Sequence, residues 1–313
     1  MRLIFCGTPQ FAVPTLLRLK HSPFRIELVL TNPDEPSGRG RALKTPPVKQ
    51  AALDAGLEVF QPRRFKAPFT RALVSHYRPD AIVVVAYGHI IPGWMIDLPR
   101  FGCINLHASL LPKYRGAAPV PWAIVRGEQV TGVTTMKIDA GLDTGDILLQ
   151  HETAIGPEDT SETLLDRLSV AGADLMAETL HALSRNEIAP RPQDHSRATL
   201  APMLKKEDGR IDWSLAAEEI ERRVRGLRPW PGAHTGFRGK GLHLWRASVA
   251  GAGFEAEPAT LVAHAGRPLA VCGHHTALEL AEVQVEGRRR VLGSDFLNGI
   301  RLQPGEKFET PSA

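Results

Sequence analysis

The chain predicts an α/β domain built on a doubly wound, mostly parallel sheet, followed by a smaller β-barrel, and three observations carry that expectation. An apolar run at Arg2–Cys6, a helical pattern through Leu19 and a second apolar run over 26–31 give the strand–helix–strand order that opens a Rossmann-like domain. The run from Ala81 to Ala86 is unbroken and rich in β-branched residues, which suits a strand covered on both faces. Beyond about residue 206, short alternating runs at 242–249, 259–262, 269–272 and 278–285 are punctuated by glycines and charges, as in a small β-barrel. At 313 residues the chain exceeds what one core usually serves.

Taken in order, the first strand ends at Gly7-Thr8-Pro9, a turn with one glycine where a dinucleotide site needs G-x-G-x-x-G, so no nucleotide cofactor is expected. A helix over about 48–55, a strand near Leu57–Phe60 and a helix over Phe69–His76 lead to the 81–86 strand. Strands follow at the end of 102–106, at Thr131–Lys137 and at Ile147–His151. The longest helical pattern starts at Asp159–Glu162 with capping-box spacing and carries Leu164, Leu168, Leu175, Leu180 and Leu183. Residues 187–205 lack a sustained period and hold three prolines, which divides the chain into a first domain at 1–186, a linker at 187–205 and a second domain at 206–313.

Composition narrows the function. With 43% hydrophobic and 23% charged residues the chain is globular, and a net charge of +4 admits a polyanionic partner without demanding one. Acids nearly balance bases after residue 206, so a nucleic-acid surface there must be a patch such as Arg222-Arg223-Arg225 or Arg288-Arg289-Arg290. Cys6, Cys103 and Cys272 form no paired framework and read as reduced, buried thiols. Without a secretory signal or an apolar run of about 18–20 residues, a cytoplasmic protein with no membrane partner is expected.

The chemistry concentrates in residues 102–146. Asn105 and His107 stand two apart at the end of an apolar run, on one face of a strand, and Asp143 follows in the turn Gly141-Leu-Asp-Thr-Gly145. Acyl or formyl transfer to an amine needs a donor for the oxyanion and a base for the nitrogen's proton, and an amide beside an imidazole supplies both. The same N-x-H pair could equally hydrogen-bond a buried turn. His107 and Asp143 could also ligate a metal, but no further His or Cys stands at ligand spacing, so none is expected. Ser109 lacks the G-x-S-x-G setting of a nucleophile. Residues 34–50 form a loop with four cations against two acids, either a solvated surface or a basic arm for a phosphate backbone.

GCINLHASLLPKYRGAAP together with GLDTGDI resembles the formyltransferase family that uses 10-formyltetrahydrofolate. The likeness extends through FCGTPQFAVPTL, NPDEPSGRGR, AYGHIIP, IDWS and RPWPGA, over nearly the whole chain. It implies Asn105, His107 and Asp143 as the catalytic trio, and a folate site formed by Ser109-Leu110-Leu111-Pro112 and Tyr87-Gly88-His89-Ile90-Ile91. It further implies that Arg39, with Arg41 and Lys44, meets the acceptor end of initiator tRNA charged with methionine, and that the carboxyl-terminal domain is an OB-like β-barrel that tracks the tRNA. A monomer suffices for that chemistry. Val120-Pro121 departs from the family's usual Ile-Gln. The rival readings are a formyltransferase acting on a sugar amine or glycinamide ribonucleotide, a formyl-folate hydrolase, and a non-catalytic tRNA-binding module.

Overall fold

The computed structural model describes residues 1–37, 42–63 and 67–309. Internal contacts divide it into two units. The first takes Met1–Pro119, Val130–Ala154 and Leu165–Ala201; the second takes Val120–Gln129, Ile155–Leu164 and the chain from Pro202 onward.

In chain order the strands and helices to residue 184 are β1 (Arg2–Gly7), α1 (Val13–Lys20), β2 (Arg25–Leu30), β3 (Glu35–Ser37), β4 (Ala42–Lys44), α2 (Pro47–Asp54), β5 (Val59–Phe60) and α3 (Pro68–His76). They continue with β6 (Ala81–Val85), α4 (Gly93–Ile96), β7 (Cys103–His107), α5 (Pro119–Val125), β8 (Val130–Lys137), β9 (Ile147–Ala154) and α6 (Ser161–Ser184). Prolines in the first turn of α1, α2 and α3 occupy positions whose N–H groups would have no helical partner.

Seven strands form one sheet in the order β5–β2–β1–β6–β7–β8–β9. The pairs from β5 to β7 are parallel, and β8 and β9 add an antiparallel edge. Strand order reverses between β1 and β6, so the crevice of the fold lies beyond the carboxyl ends of these strands, next to the end of β7. Every residue of β6 is buried, as its β-branched run requires. Beneath β7, helix α6 comes close: a side chain on Gly172 would stand 2.6 Å from Leu106, so the glycine lets the helix press on the strand that carries the site.

Residues 187–201, read from sequence as the greater part of a linker, carry hydrogen bonds to the first unit. Arg191 and Ile147 bond each other's backbone, and Arg115 N–H donates to the Thr199 carbonyl at 2.8 Å. Isolated bridges of this kind need no periodic pattern, which is why periodicity gave no sign of them.

The second unit holds α7 (Ala217–Gly226), β10 (Ala233–Phe237), β11 (Lys240–Ala252), β12 (Leu261–His264), β13 (Arg267–Val271), β14 (Thr276–Val285), β15 (Val291–Leu292) and α8 (Gly293–Ile300). Its antiparallel sheet runs β10–β11–β14–β13–β12, with β15 on β14. The segment around 306–309 bonds Gly236 of β10 on one side and the 259–261 stretch on the other, joining the two edges as a barrel requires. Trp213, fully buried, stacks on Phe308 at 5.0 Å, while its indole N–H donates to Thr235 Oγ1. Among the described residues no helix is long and apolar enough to cross a membrane.

Candidate active site

The site is built at the carboxyl end of β7. Asn105 is half-buried and pairs in register with Val84 on β6 and Met136 on β8, which places the residue near the carboxyl end of this interior strand. Two residues on, His107 is 7% exposed. Its Nε2 lies 2.9 Å from the Tyr114 carbonyl oxygen, which can only accept, so Nε2 carries a proton. In the neutral ring the lone pair then sits on Nδ1, the atom that faces Asp143 Oδ2 at 3.6 Å. That gap exceeds a direct hydrogen bond, so the two groups are close enough for the carboxylate to stabilise a protonated ring without being bonded to the neutral one.

Asp143 takes a positive φ of 53°, a left-handed conformation unusual for a residue with a side chain. Its turn is shaped by neighbours. Thr144 Oγ1 donates to the Asp139 carboxylate, and Gly145 has no room for a Cβ, which would meet the Lys137 carbonyl. The carboxylate of Asp143 accepts the Gly116 N–H at 2.8 Å. Gly116 is itself confined to glycine, with a φ of +118° and the Ala201 carbonyl 2.6 Å from where a Cβ would stand.

The segment between His107 and Gly116 is braced from β8 and β9. Thr134 Oγ1 donates to the Ser109 carbonyl at 2.6 Å and accepts the Leu111 N–H, while Gln150 Nε2 reaches the Leu111 carbonyl at 2.9 Å. Ser109 is buried with its hydroxyl donated to the Lys113 carbonyl, and Leu111 packs with Met136 and Ile147. Leu110 and Pro112 are half-buried, leaving edges open.

Beside this, at the end of β6, Tyr87 and Ile91 turn into the core, whereas Gly88, His89 and Ile90 are exposed. Ile90 is 93% exposed, an apolar side chain standing free at the crevice rim. Thr8 Oγ1 donates to the Tyr87 carbonyl and accepts the Asn32 N–H, tying the ends of β1, β2 and β6 together. Burial pushes the Tyr87 hydroxyl far above its usual range, so it stays neutral.

The basic loop is described only in part: Arg39 and Arg41 lie outside the described residues. Lys44 is exposed on β4, opposite Glu35 of β3. Below that hairpin the Lys49 ammonium and the Gln61 amide both donate to Asp34, and these bonds hold its carboxyl below the usual range. Among the described residues no group of three or more His, Cys, Asp or Glu could hold a metal ion.

The structure thus brings Asn105, His107 and Asp143 to one rim and puts Leu110, Pro112 and Gly88–Ile90 near it in the fold. Sequence reasoning missed Gly116, Thr134, Gln150, Arg115 and Gln193. Gly116 had a signal, a glycine between a cation and two alanines; Gln193 had none, lying in a stretch without period.

The formyl transferase family model matches residues 1–180, and the formyl transferase C-terminal domain model matches residues 203–301. The methionyl-tRNA formyltransferase of Koribacter versatilis (strain Ellin345) is 55% identical over 309 residues, which cover 98% of each chain. The solved methionyl-tRNA formyltransferase from Clostridium thermocellum is similar over 79% of this chain and 93% of that one, with a TM-score of 0.54 at 19% identity. WlaRD, a sugar 3N-formyltransferase solved in the presence of dTDP and 5-N-formyl-THF, is similar over 92% of this chain and 99% of that one, with a TM-score of 0.67 at 16% identity. At such identities the two structures speak for the fold alone.

Proposed function

The chain belongs to the methionyl-tRNA formyltransferases, and on that premise we propose that it moves the formyl group of 10-formyltetrahydrofolate to the α-amine of methionine on initiator tRNA, with Asn105, His107 and Asp143 at the reacting atoms. The observation that carries this reading is the His107 ring, held by the Tyr114 carbonyl so that Nδ1 faces the Asp143 carboxylate, with Asn105 two residues earlier on the same strand.

The reaction follows from that geometry. The neutral amine nitrogen attacks the formyl carbon, forming the new C–N bond and turning the carbonyl oxygen into an oxyanion. Asn105 donates an amide N–H to that oxygen, an interaction worth about 10²–10³ in rate in other acyl-transfer sites. The nitrogen's proton passes to Nδ1 of His107 or, through water, to Asp143. Once protonated, the imidazolium is stabilised by Asp143 and adds its charge beside the oxyanion. Collapse breaks the bond to N10 of the folate, which takes up the proton.

The rim fits a flat, partly apolar cosubstrate. Ile90 offers an apolar wall, the exposed backbone at Gly88 permits close approach, and Leu110 with Pro112 lines the facing edge. The basic loop with Arg39, Arg41 and Lys44 is assigned to the phosphates of the acceptor end, and the second unit to the body of the tRNA. The reading calls for one copy of the chain in the cytoplasm, where folate and charged tRNA meet.

The test offers labelled 10-formyltetrahydrofolate with methionine-charged initiator tRNA, with an amino sugar on a nucleotide, or with water alone, at low and raised salt. Formyl-methionyl tRNA formed at low salt and suppressed as salt rises supports the proposal. Folate consumed with formyl found on the sugar, or released as formate, overturns it.

A further inference from the structure

We propose that Gln193, seated on Arg115, is a positioning residue that holds Asp143 at its working distance from His107; this rests on the role given to Asp143 above. Both side chains are buried, Gln193 at 5% and Arg115 at 7% exposure. The Gln193 amide nitrogen donates to two backbone carbonyls of the acid turn, Asp143 at 2.9 Å and Gly145 at 2.7 Å. Its oxygen accepts from Arg115 twice, from Nε at 3.1 Å and Nη2 at 2.6 Å. Arg115 Nη2 also meets His195 Nδ1 at 3.1 Å, so the guanidinium is anchored from the same segment.

This network fixes its own orientation. Turning the Gln193 amide over would set its N–H groups against the guanidinium donors and its oxygen against two carbonyls, losing four good bonds for none. The arrangement also closes a ring. Arg115 holds Gln193, Gln193 holds the Asp143 carbonyl, and the residue after Arg115, Gly116, holds the Asp143 carboxylate through its N–H. Asp143 is therefore gripped at both ends while in a left-handed conformation that its own side chain disfavours. Neither Gln193 nor Arg115 is assigned to a reacting atom. Their effect reaches the chemistry through the 3.6 Å between Asp143 Oδ2 and His107 Nδ1.

A residue that merely packs the 187–201 segment behaves differently from one that aims Asp143, and the difference is measurable. In the full-length protein, Gln193→Glu keeps an acceptor for Arg115 but turns carboxylate oxygen toward two carbonyls. Formyl transfer to charged initiator tRNA is measured for this variant, for Asp143→Asn and for the double variant, with kcat and the folate KM determined across pH. We expect kcat to fall about 10²-fold in Gln193→Glu with little change in the folate KM, as for a displacement of roughly 1 Å at a reacting group. The pH–rate profile should change shape, and Gln193→Glu should cost little more once Asp143→Asn is present, because the effect runs through that side chain. If Gln193→Glu does not fold, Arg115→Lys retains the charge with fewer bonds to Gln193 and should show a smaller loss of the same kind. An unchanged kcat and pH profile, or a full additional loss in the Asp143→Asn background, overturns the positioning role alone. Wild-type turnover in Asp143→Asn overturns it through its premise.

Discussion

Replacing Gly116 with alanine tests the site's architecture where it is most tightly constrained. The residue has a φ of +118°, where a side chain is strained, and its Cβ would stand 2.6 Å from the Ala201 carbonyl oxygen. That oxygen cannot simply swing away, since it accepts the Ala118 N–H, while Ala201 donates to the Arg115 carbonyl at 2.7 Å. Backbone strain of about 1–3 kcal/mol and overpacking of about 1–3 kcal/mol give a destabilisation of roughly 2–6 kcal/mol before relaxation. In a domain of about 150–250 residues each kcal/mol lowers Tm by roughly 2–4 °C, so a drop on the order of 10 °C is expected. The same shift moves the N–H that Asp143 accepts at 2.8 Å, and turnover below the melting range should fall about 10²-fold. Thermal melts by circular dichroism and initial-rate formylation read the two effects, with Ala117→Gly at the exposed neighbouring position as the control. A Gly116→Ala protein with wild-type Tm and wild-type turnover refutes the account of this turn.

Three further outcomes follow from the packing and the charges. Trp213→Ala removes a fully buried ring and its stack on Phe308, and should destabilise the second unit by about 3–5 kcal/mol in denaturant titrations; a change below about 1 kcal/mol contradicts its place at the centre of that core. Burial pushes the thiols of Cys103 and Cys272 up to about 12 and that of Cys6 well above its usual range, so iodoacetamide at pH 8 should label none of them natively and all three in denaturant; rapid native labelling contradicts the burial. Asp34, held low by Lys49 and Gln61, favours the folded state above the ordinary carboxyl range of about 4 and loses that contribution as pH falls through its lowered value; Asp34→Asn should therefore flatten the acid limb of a stability–pH curve, and an unchanged limb contradicts the assignment.

Much of this was legible in the sequence because it depends on local pattern. The β-branched run of β6 and the helical period of α6 each reflect a face that must be buried, and burial leaves its mark on the residues themselves. Asn105 and His107 were placed together because a strand's two-residue period is fixed by geometry. The support of the site was not legible. Gln193 meets the Asp143 carbonyl from a segment that follows α6, and Thr134 and Gln150 reach the 109–111 stretch from other strands. Such bonds follow from tertiary approach, which no single stretch of sequence encodes. The resemblance also implied a folate site along Tyr87-Gly88-His89-Ile90-Ile91, and within that segment the side chains of Tyr87 and Ile91 are buried while Gly88, His89 and Ile90 are exposed. β6 ends at Val85 and Ala86 takes a φ of 45°, so exposure from residue 86 onward follows the turn rather than a strand period, and the sequence does not show where that change falls.

The central claim is that the Asn105 amide stabilises the oxyanion of formyl transfer to charged initiator tRNA. Its most direct test is single-turnover formylation by Asn105→Ala, with folate binding measured separately by calorimetry. The account predicts a rate lowered about 10²–10³-fold with folate affinity nearly unchanged, because the lost interaction strengthens only as the oxyanion forms. A rate within about twofold of wild type, or a loss carried wholly by weaker folate binding, contradicts it.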